Sequence, residues 1–299
     1  MPLFGVSTYS LLTAMRGGMT PEAAIVWLAE AGAQCIELVP MGGIDMAADP
    51  HQVEVLLAAA TQADVPIVNY SIGANFLQGE AEDGEYAARA ASADFCNEVA
   101  RVKTHIDIAA RLGIATMRTD CVGWGRPKER NTLGWFVKDM PLIAEAYRQL
   151  CDYAAPLGIS VLLENHGFYI NGSERVRLLV EAVARANFGI QLDMGNFECV
   201  DERARTATAA CLPYATVFHV KDFYLRCQNP GEGWFASPAG RYLRGSIFGQ
   251  GDLPAHAILG DVKRSGFDGP IILEFEGMED CQQATKISLE NAKRIYSEV

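Results

Sequence analysis

The chain has 299 residues, 49% hydrophobic and 21% charged, which suits one large soluble unit with a core big enough to need no disulfide staples. A net charge of −12 repels phosphate backbones and anionic lipid, so nucleic acid and membranes are poor partners. The opening MPLFGVSTYS lacks the pattern of a signal peptide, and the eight cysteines form no CxxC pair, so reduced, mostly buried thiols in the cytoplasm are expected.

Residues 3–9 read as a first strand, and Thr20-Pro21-Glu22 opens a helix as N-cap, N1 and N2. Gly32 stops that helix before a second strand, CIELV, at 35–39. Pro50 starts the next helix, and PIVNYSI at 66–72 is the third strand. A helical stretch over 85–112 ends at Gly113 and leads into ATMRTD at 115–120. A helix over 135–155 precedes ISVLLENH, one over 173–186 precedes FGIQLDMGN, and one over 201–211 precedes TVFHVKDF. After a Gly-rich insertion at 225–252, a helix over 254–265 precedes PIILEFEG, and a last helix starts near 280. Eight strand–helix units with nearly all-apolar strands favour a (β/α)8 TIM barrel, one domain over 1–299, rather than an open sheet. The missing GxGxxG after the first strand weighs against a dinucleotide fold. The insertion is too long for an ordinary connection and reads as an active-site rim or lid.

Barrel enzymes carry their chemistry at the C-terminal ends of the strands. Here four consecutive ends, each after a short apolar run, bear Glu164, Asp193, His219 and Glu274. One such charge is easily a solvated strand end; four neighbours converge. Three carboxylates so close repel one another unless a cation sits among them, so these four residues read as metal ligands. Three oxygens and one imidazole suit one divalent ion, Mn2+ foremost with Mg2+ or Co2+ as alternatives, better than a structural zinc, and two positions remain for substrate or water.

Strand alternation puts His166 on the face of Glu164, Lys221 on that of His219 and Glu276 on that of Glu274. His166, Lys221, Asn196 and Arg118 are therefore candidate substrate contacts. His166 reads equally as a hydrogen-bonded structural residue, Lys221 as a salt-bridge partner of Glu164 or Asp193, and Arg118 as a partner of Asp120. Asp222 is expected to face outward as a structural residue. Trp124, Trp135, Phe168 and Trp234 lie in mouth segments and suit packing or stacking on a sugar. Arg226, Arg241 and Arg244 are possible anchors for a hydroxyl or carboxylate. His51, His105 and His256 fall on helices and read as surface residues.

The strings LLENHG, QLDMGN, FHVKDF and GFDGPIILEFEG, in that order along the whole chain, resemble the xylose isomerase-like TIM barrel superfamily of sugar isomerases and epimerases. The resemblance implies a metal held by Glu164, Asp193, His219 and Glu274, and a homo-oligomer, dimer or tetramer. In its ketose 3-epimerase branch the two glutamates, here Glu164 and Glu274, are also the catalytic acid and base. That branch has a histidine three residues after the metal aspartate, where this chain has Asn196. The expected function is a metal-dependent isomerase or epimerase of a ketose or related keto-sugar, abstracting a proton next to a carbonyl through an enediolate. A lyase or dehydratase of a keto-inositol or 3-keto-glycoside at the same centre is the alternative. A metal-dependent hydrolase or a non-catalytic sugar-binding barrel is a further one.

Overall fold

The computed structural model describes residues 1–79, 84–123 and 125–299. Its barrel strands are β1 (Phe4–Ser7), β2 (Cys35–Leu38), β3 (Ile67–Ile72), β4 (Thr116–Thr119), β5 (Ser160–Glu164), β6 (Phe188–Asp193) and β7 (Ala215–Val220). An inserted sheet follows, of β8 (Asp222–Arg226), β9 (Phe235–Ala236) and β10 (Tyr242–Ser246); β11 (Ile271–Leu273) is the eighth barrel strand. The helices are α1 (Leu12–Arg16), α2 (Pro21–Glu30), α3 (Gln52–Gln62), α4 (Tyr86–Ala90), α5 (Ala93–Leu112), α6 (Leu133–Ala154), α7 (Ser173–Val183), α8 (Ala204–Cys211), α9 (Ala255–Arg264) and α10 (Cys281–Glu298). The barrel strands pair in parallel and close in the order β1-β11-β7-β6-β5-β4-β3-β2. The fold is a single-domain (β/α)8 barrel.

Local chemistry sets the boundaries. Thr20 Oγ1 accepts from the backbone N–H of Ala23, capping α2 with Pro21 in its first turn. Asp280 caps α10 in the same way by accepting from Gln283 N–H. The helical stretch expected over 85–112 is two helices, because Ser92 accepts from Phe95 N–H and starts α5 afresh. Gly113 ends α5 at φ 71°, a conformation that suits glycine. The helix expected from 201 begins at Ala204, after a 3-10 turn over Asn196–Val200.

Residues 225–252, read as an active-site rim or lid, carry a sheet of their own, in which β8 and β10 form an antiparallel hairpin with β9 on its edge. Asp222 anchors this insert from the side. It is buried rather than facing outward, and its carboxylate accepts from the backbone N–H groups of Phe223, Gly249, Gly251 and Leu253. A Cβ on Gly251 would sit 2.2 Å from Asp222 Oδ1, so only glycine allows that approach. Burial pushes the Asp222 carboxyl up to about 6, against the four N–H groups that favour its ionised form.

The barrel interior is layered. Cys35, Leu162, Val217 and Ile272 pack together as a small core of their own, apart from the main core against the helices. Two residues further along the same strands stand Glu37, Glu164, His219 and Glu274. Strand alternation therefore lays a polar layer directly on an apolar one. Among the described residues no helix is long and apolar enough to cross a membrane. All eight cysteines are free, six of them buried.

Candidate functional site

Asp193 and His219 end neighbouring strands in register, and Glu164 pairs with Gln191 one strand on. One donor atom from each of Glu164, Asp193, His219 and Glu274 lies within 4.8 Å of the other three. Three of these side chains are fully or almost fully enclosed, and Glu274 is 13% exposed.

Each donor is oriented by what surrounds it. Asp193 Oδ1 accepts from the N–H groups of Gly195 and Asn196 at 2.7 and 2.9 Å, which leaves Oδ2 for another partner. His219 meets Glu37 Oε2 through Nε2 at 3.0 Å, which leaves Nδ1. Asp193 Oδ2 and His219 Nδ1 are both buried without a hydrogen bond, 3.8 Å apart. A carboxylate oxygen and a ring nitrogen buried without hydrogen bonds, flanked by two glutamates, fit a divalent cation that takes the ring nitrogen in its deprotonated form.

Glu37 is a functional candidate that the sequence reading missed. It is fully buried on β2, accepts from Asn69 Nδ2 at 2.7 Å, and belongs to a chain of contacts below the four donors. Asn69 also donates to Gln191 Oε1 at 2.6 Å, and Gln191 Nε2 donates to Glu164 Oε2 at 3.3 Å. His219 and Glu164 are thus tied to one network. Burial alone lowers an imidazole pKa, yet the Glu37 carboxylate, helped by Glu164 and Glu274, holds His219 up at about 9. Burial likewise raises a carboxyl, and His219 and Asn69 still bring Glu37 below its ordinary value.

Two cations stand among the carboxylates. Lys221, buried, places Nζ 2.5 Å from Glu274 Oε2, 3.3 Å from Glu276 Oε2 and 3.4 Å from Asp193 Oδ2. Burial disfavours its charge, but those carboxylates hold it well above the ordinary lysine value. Glu274 is drawn down to about 2 by Lys221 and His219 in spite of its burial. Arg118 contacts Glu164 directly, Asp120 at 2.9 Å and His166 Nδ1 at 3.1 Å. Burial outweighs Arg118 at Glu164, whose carboxyl is raised. Asn196 spans the two groups, donating to Glu164 Oε1 at 3.1 Å and accepting from Lys221 Nζ at 3.3 Å. Tyr9, from the turn after β1, faces Glu276 and Glu274, and burial with those charges raises its phenol to about 12.

A cavity of about 550 Å3 opens on the Glu164 side, lined there by Asp120, Glu164 and His166. Phe168 lines it, while Trp124 lies outside the described residues. Trp135 and Trp234 do not line it: Trp135 lies beneath Arg126, Arg130 and Lys138, and Trp234 beneath Arg226 and Arg244. The three arginines of the insert have partners away from the four donors, two within the insert's own sheet and its flank and one on the turn after β6. Arg226 pairs with Asp252, Arg241 with Glu198 and Asp201, and Arg244 lies over Tyr224. His51 and His256 are exposed, but His105 is buried on α5, with Nδ1 2.9 Å from the Tyr70 hydroxyl.

A family model described as xylose isomerase-like TIM barrel matches residues 25–297. Among solved structures the chain is similar to an apo 3-keto-D-glucoside 4-epimerase from E. coli, at 16% identity and a TM-score of 0.71, over 98% of this chain and 100% of that one. It is similar to a D-allulose 3-epimerase from Methylomonas sp. in complex with D-allulose, at 16% identity and a TM-score of 0.70, over 99% and 97%. A xylose isomerase-like TIM barrel protein from Mycobacterium smegmatis in complex with magnesium gives 16% identity and a TM-score of 0.70, over 99% and 96%. At such identities the likeness is one of fold. No curated protein matches the sequence significantly.

Proposed function

Because the chain belongs to the xylose isomerase-like TIM barrel family, we propose that it is a metal-dependent isomerase or epimerase of a ketose or related keto-sugar. The observation that carries this reading is the set of four donors, two of them glutamates, with Asp193 Oδ2 and His219 Nδ1 buried without hydrogen bonds and 3.8 Å apart. Glu164, Asp193, His219 and Glu274 would hold one divalent ion, Mn2+ foremost with Mg2+ or Co2+ as alternatives. When bound, such an ion polarises a carbonyl oxygen and makes the neighbouring C–H more acidic.

The chain's own residues then move the proton. One of Glu164 and Glu274 removes it from the carbon beside the carbonyl, and the other returns it. General acid–base help of this kind contributes about 100- to 10,000-fold. Lys221 keeps Glu274 ionised and can donate to a substrate oxygen, and Arg118, against Glu164, can donate in the same way. Asn196, midway between them, and His166, at the cavity edge, suit sugar hydroxyls. The two family neighbours described as epimerases act on a keto-glucoside and on a ketose, which supports this substrate class.

Proton NMR in D2O of the Mg2+-loaded protein with ketoses, keto-inositols and 3-keto-glycosides tests the reading. Deuterium is expected next to the carbonyl, with a new sugar appearing, and both should vanish in Glu164→Gln. Loss of water or of an aglycone would make the protein a lyase. Exchange with none of these compounds sinks the keto-sugar reading.

A further inference from the structure

The ENHGFYIN segment that ends β5 carries two asparagines, Asn165 and Asn171, both fully buried and neither lining the cavity. A buried primary amide is tolerated only when its two N–H donors and its oxygen all find partners. Both amides here are complete. Asn165 Oδ1 accepts from the Asp193 N–H at 2.8 Å, while its Nδ2 donates to the Asp193 carbonyl at 2.8 Å and to Asn171 Oδ1 at 3.3 Å. Asn171 Nδ2 in turn donates to the Gly167 carbonyl at 2.8 Å and to the Asn196 carbonyl at 2.7 Å.

These bonds converge on one carboxylate by two routes. Backbone pairing between β5 and β6 reaches only to Glu164 and Gln191, yet Asp193 stands two residues further on. The Asn165 side chain continues that ladder, meeting both backbone groups of Asp193 as a neighbouring strand would. The second route runs through the turn after β6. Gly195 and Asn196 clamp Asp193 Oδ1 with their N–H groups, and Asn171 holds the Asn196 carbonyl in that turn. With the backbone and Oδ1 both fixed, Oδ2 is left beside His219 Nδ1, 3.8 Å away. Asn187 offers a contrast at the opposite end of β6. Its Nδ2 donates to the carbonyls of Cys151 and Ile159 at 2.9 and 3.1 Å, joining elements without touching the centre.

We propose that Asn165 and Asn171 act as a pair of positioning residues for Asp193, holding its free carboxylate oxygen where a divalent ion takes it up. The inference rests on the metal reading of the four-donor centre and deepens it. The pair also joins the loop that carries His166 and Phe168 to the turn that carries Asn196, so the ion and the candidate substrate contacts share one frame.

Isothermal titration of Mn2+ into the full-length apoprotein tests it, with urea unfolding in EDTA as the measure of stability. Asn165→Ala and Asn171→Ala are each expected to bind Mn2+ about 10- to 100-fold more weakly than the wild type, as loss of a ligand's orienting partner does. The double variant should lose clearly less than the product of the two single losses, because both act on one carboxylate through a shared hydrogen bond. Asn187→Ala strands two carbonyls and should lose stability, yet keep its Mn2+ affinity within about twofold of the wild type. A merely structural role for all three amides would not separate them in this way. Asn165→Ser, which keeps a hydroxyl able to accept from the Asp193 N–H, carries the test if Asn165→Ala does not fold. Wild-type affinity in both asparagine variants, equal weakening by Asn187→Ala, or strictly multiplicative losses in the double variant overturns the proposal. Wild-type protein without any saturable Mn2+ site would instead remove the metal reading itself, and the inference falls with it.

Discussion

Glu164 and Glu274 sit at the same height on the barrel rim, and their two sides of the site are built in opposite ways. Beside Glu164 stands a planar guanidinium shared with Asp120 and His166, and the carboxylate borders a large cavity. Beside Glu274 a compact ammonium is enclosed by three carboxylates, with the tyrosine of β1's following turn closing the group. Burial prevails at Glu164 and raises its carboxyl; Lys221 prevails at Glu274 and lowers its carboxyl to about 2. The same side chain thus receives different chemistry from its cation and its exposure. One side borders a cavity; the other concentrates charge around a single ammonium.

The largest expected effect breaks the closed side. Lys221→Met leaves three carboxylates facing one another without their cation, and losing one partner of a buried charge group costs about 3–5 kcal/mol. Urea unfolding in EDTA should show this loss, and Mg2+ should restore more stability to the variant than to the wild type. Arg118→Met should lose less, because His166 remains beside Asp120 at 2.9 Å. Equal losses in the two variants, or no extra recovery with Mg2+, would erase the contrast between the sides.

Glu37→Gln probes what the two sides share. The amide of Gln can donate to His219 Nε2, which would drive the proton to Nδ1 and block the nitrogen left for an ion. Metal affinity should fall by about 10- to 100-fold with the fold unchanged by circular dichroism, the usual cost of losing such a partner. Unaltered affinity would show that Glu37 does not orient the imidazole.

The eight strands and the four strand-end donors were legible because each leaves a local mark: an apolar run, then one charge, at the position where barrel strands end. Glu37 left a mark too, a lone carboxylate inside CIELV, where a charge survives burial only if it is paired. Its partner lies 182 residues away, so sequence alone could not name it. The inserted sheet was hidden by its glycines, although YLRGS pairs residue by residue with DFYLR. His105 was misread as a surface residue, yet Val99, Val102, Ile106 and Ala109 mark a helical stripe on which it also lies. The conflict between Arg118 as a substrate contact and as a partner of Asp120 was a matter of three-dimensional distance, which spacing cannot supply.

His105 provides the smallest expected effect, and it lies outside both sides of the site. Burial first, and Arg101 second, bring its imidazole down to about 4. The unfolded chain therefore binds the extra proton between about pH 6.5 and 4, so stability is fully present above that window and falls as the pH drops through it. The contribution is on the order of 1 kcal/mol at pH 5. Guanidinium unfolding at pH 7 and pH 5 should show a steeper loss for the wild type than for His105→Gln. Parallel losses would mean that carboxylates alone set the acid response.

The most direct test of the four-donor centre is a titration of the apoprotein with Mn2+, followed by electron paramagnetic resonance of the free ion. One saturable site per chain is expected, weakened by at least about 100-fold in Asp193→Asn, which removes the charge behind the carboxylate oxygen that is buried without a hydrogen bond. No saturable binding in the wild type, or binding that Asp193→Asn leaves untouched, would contradict a metal centre at these residues.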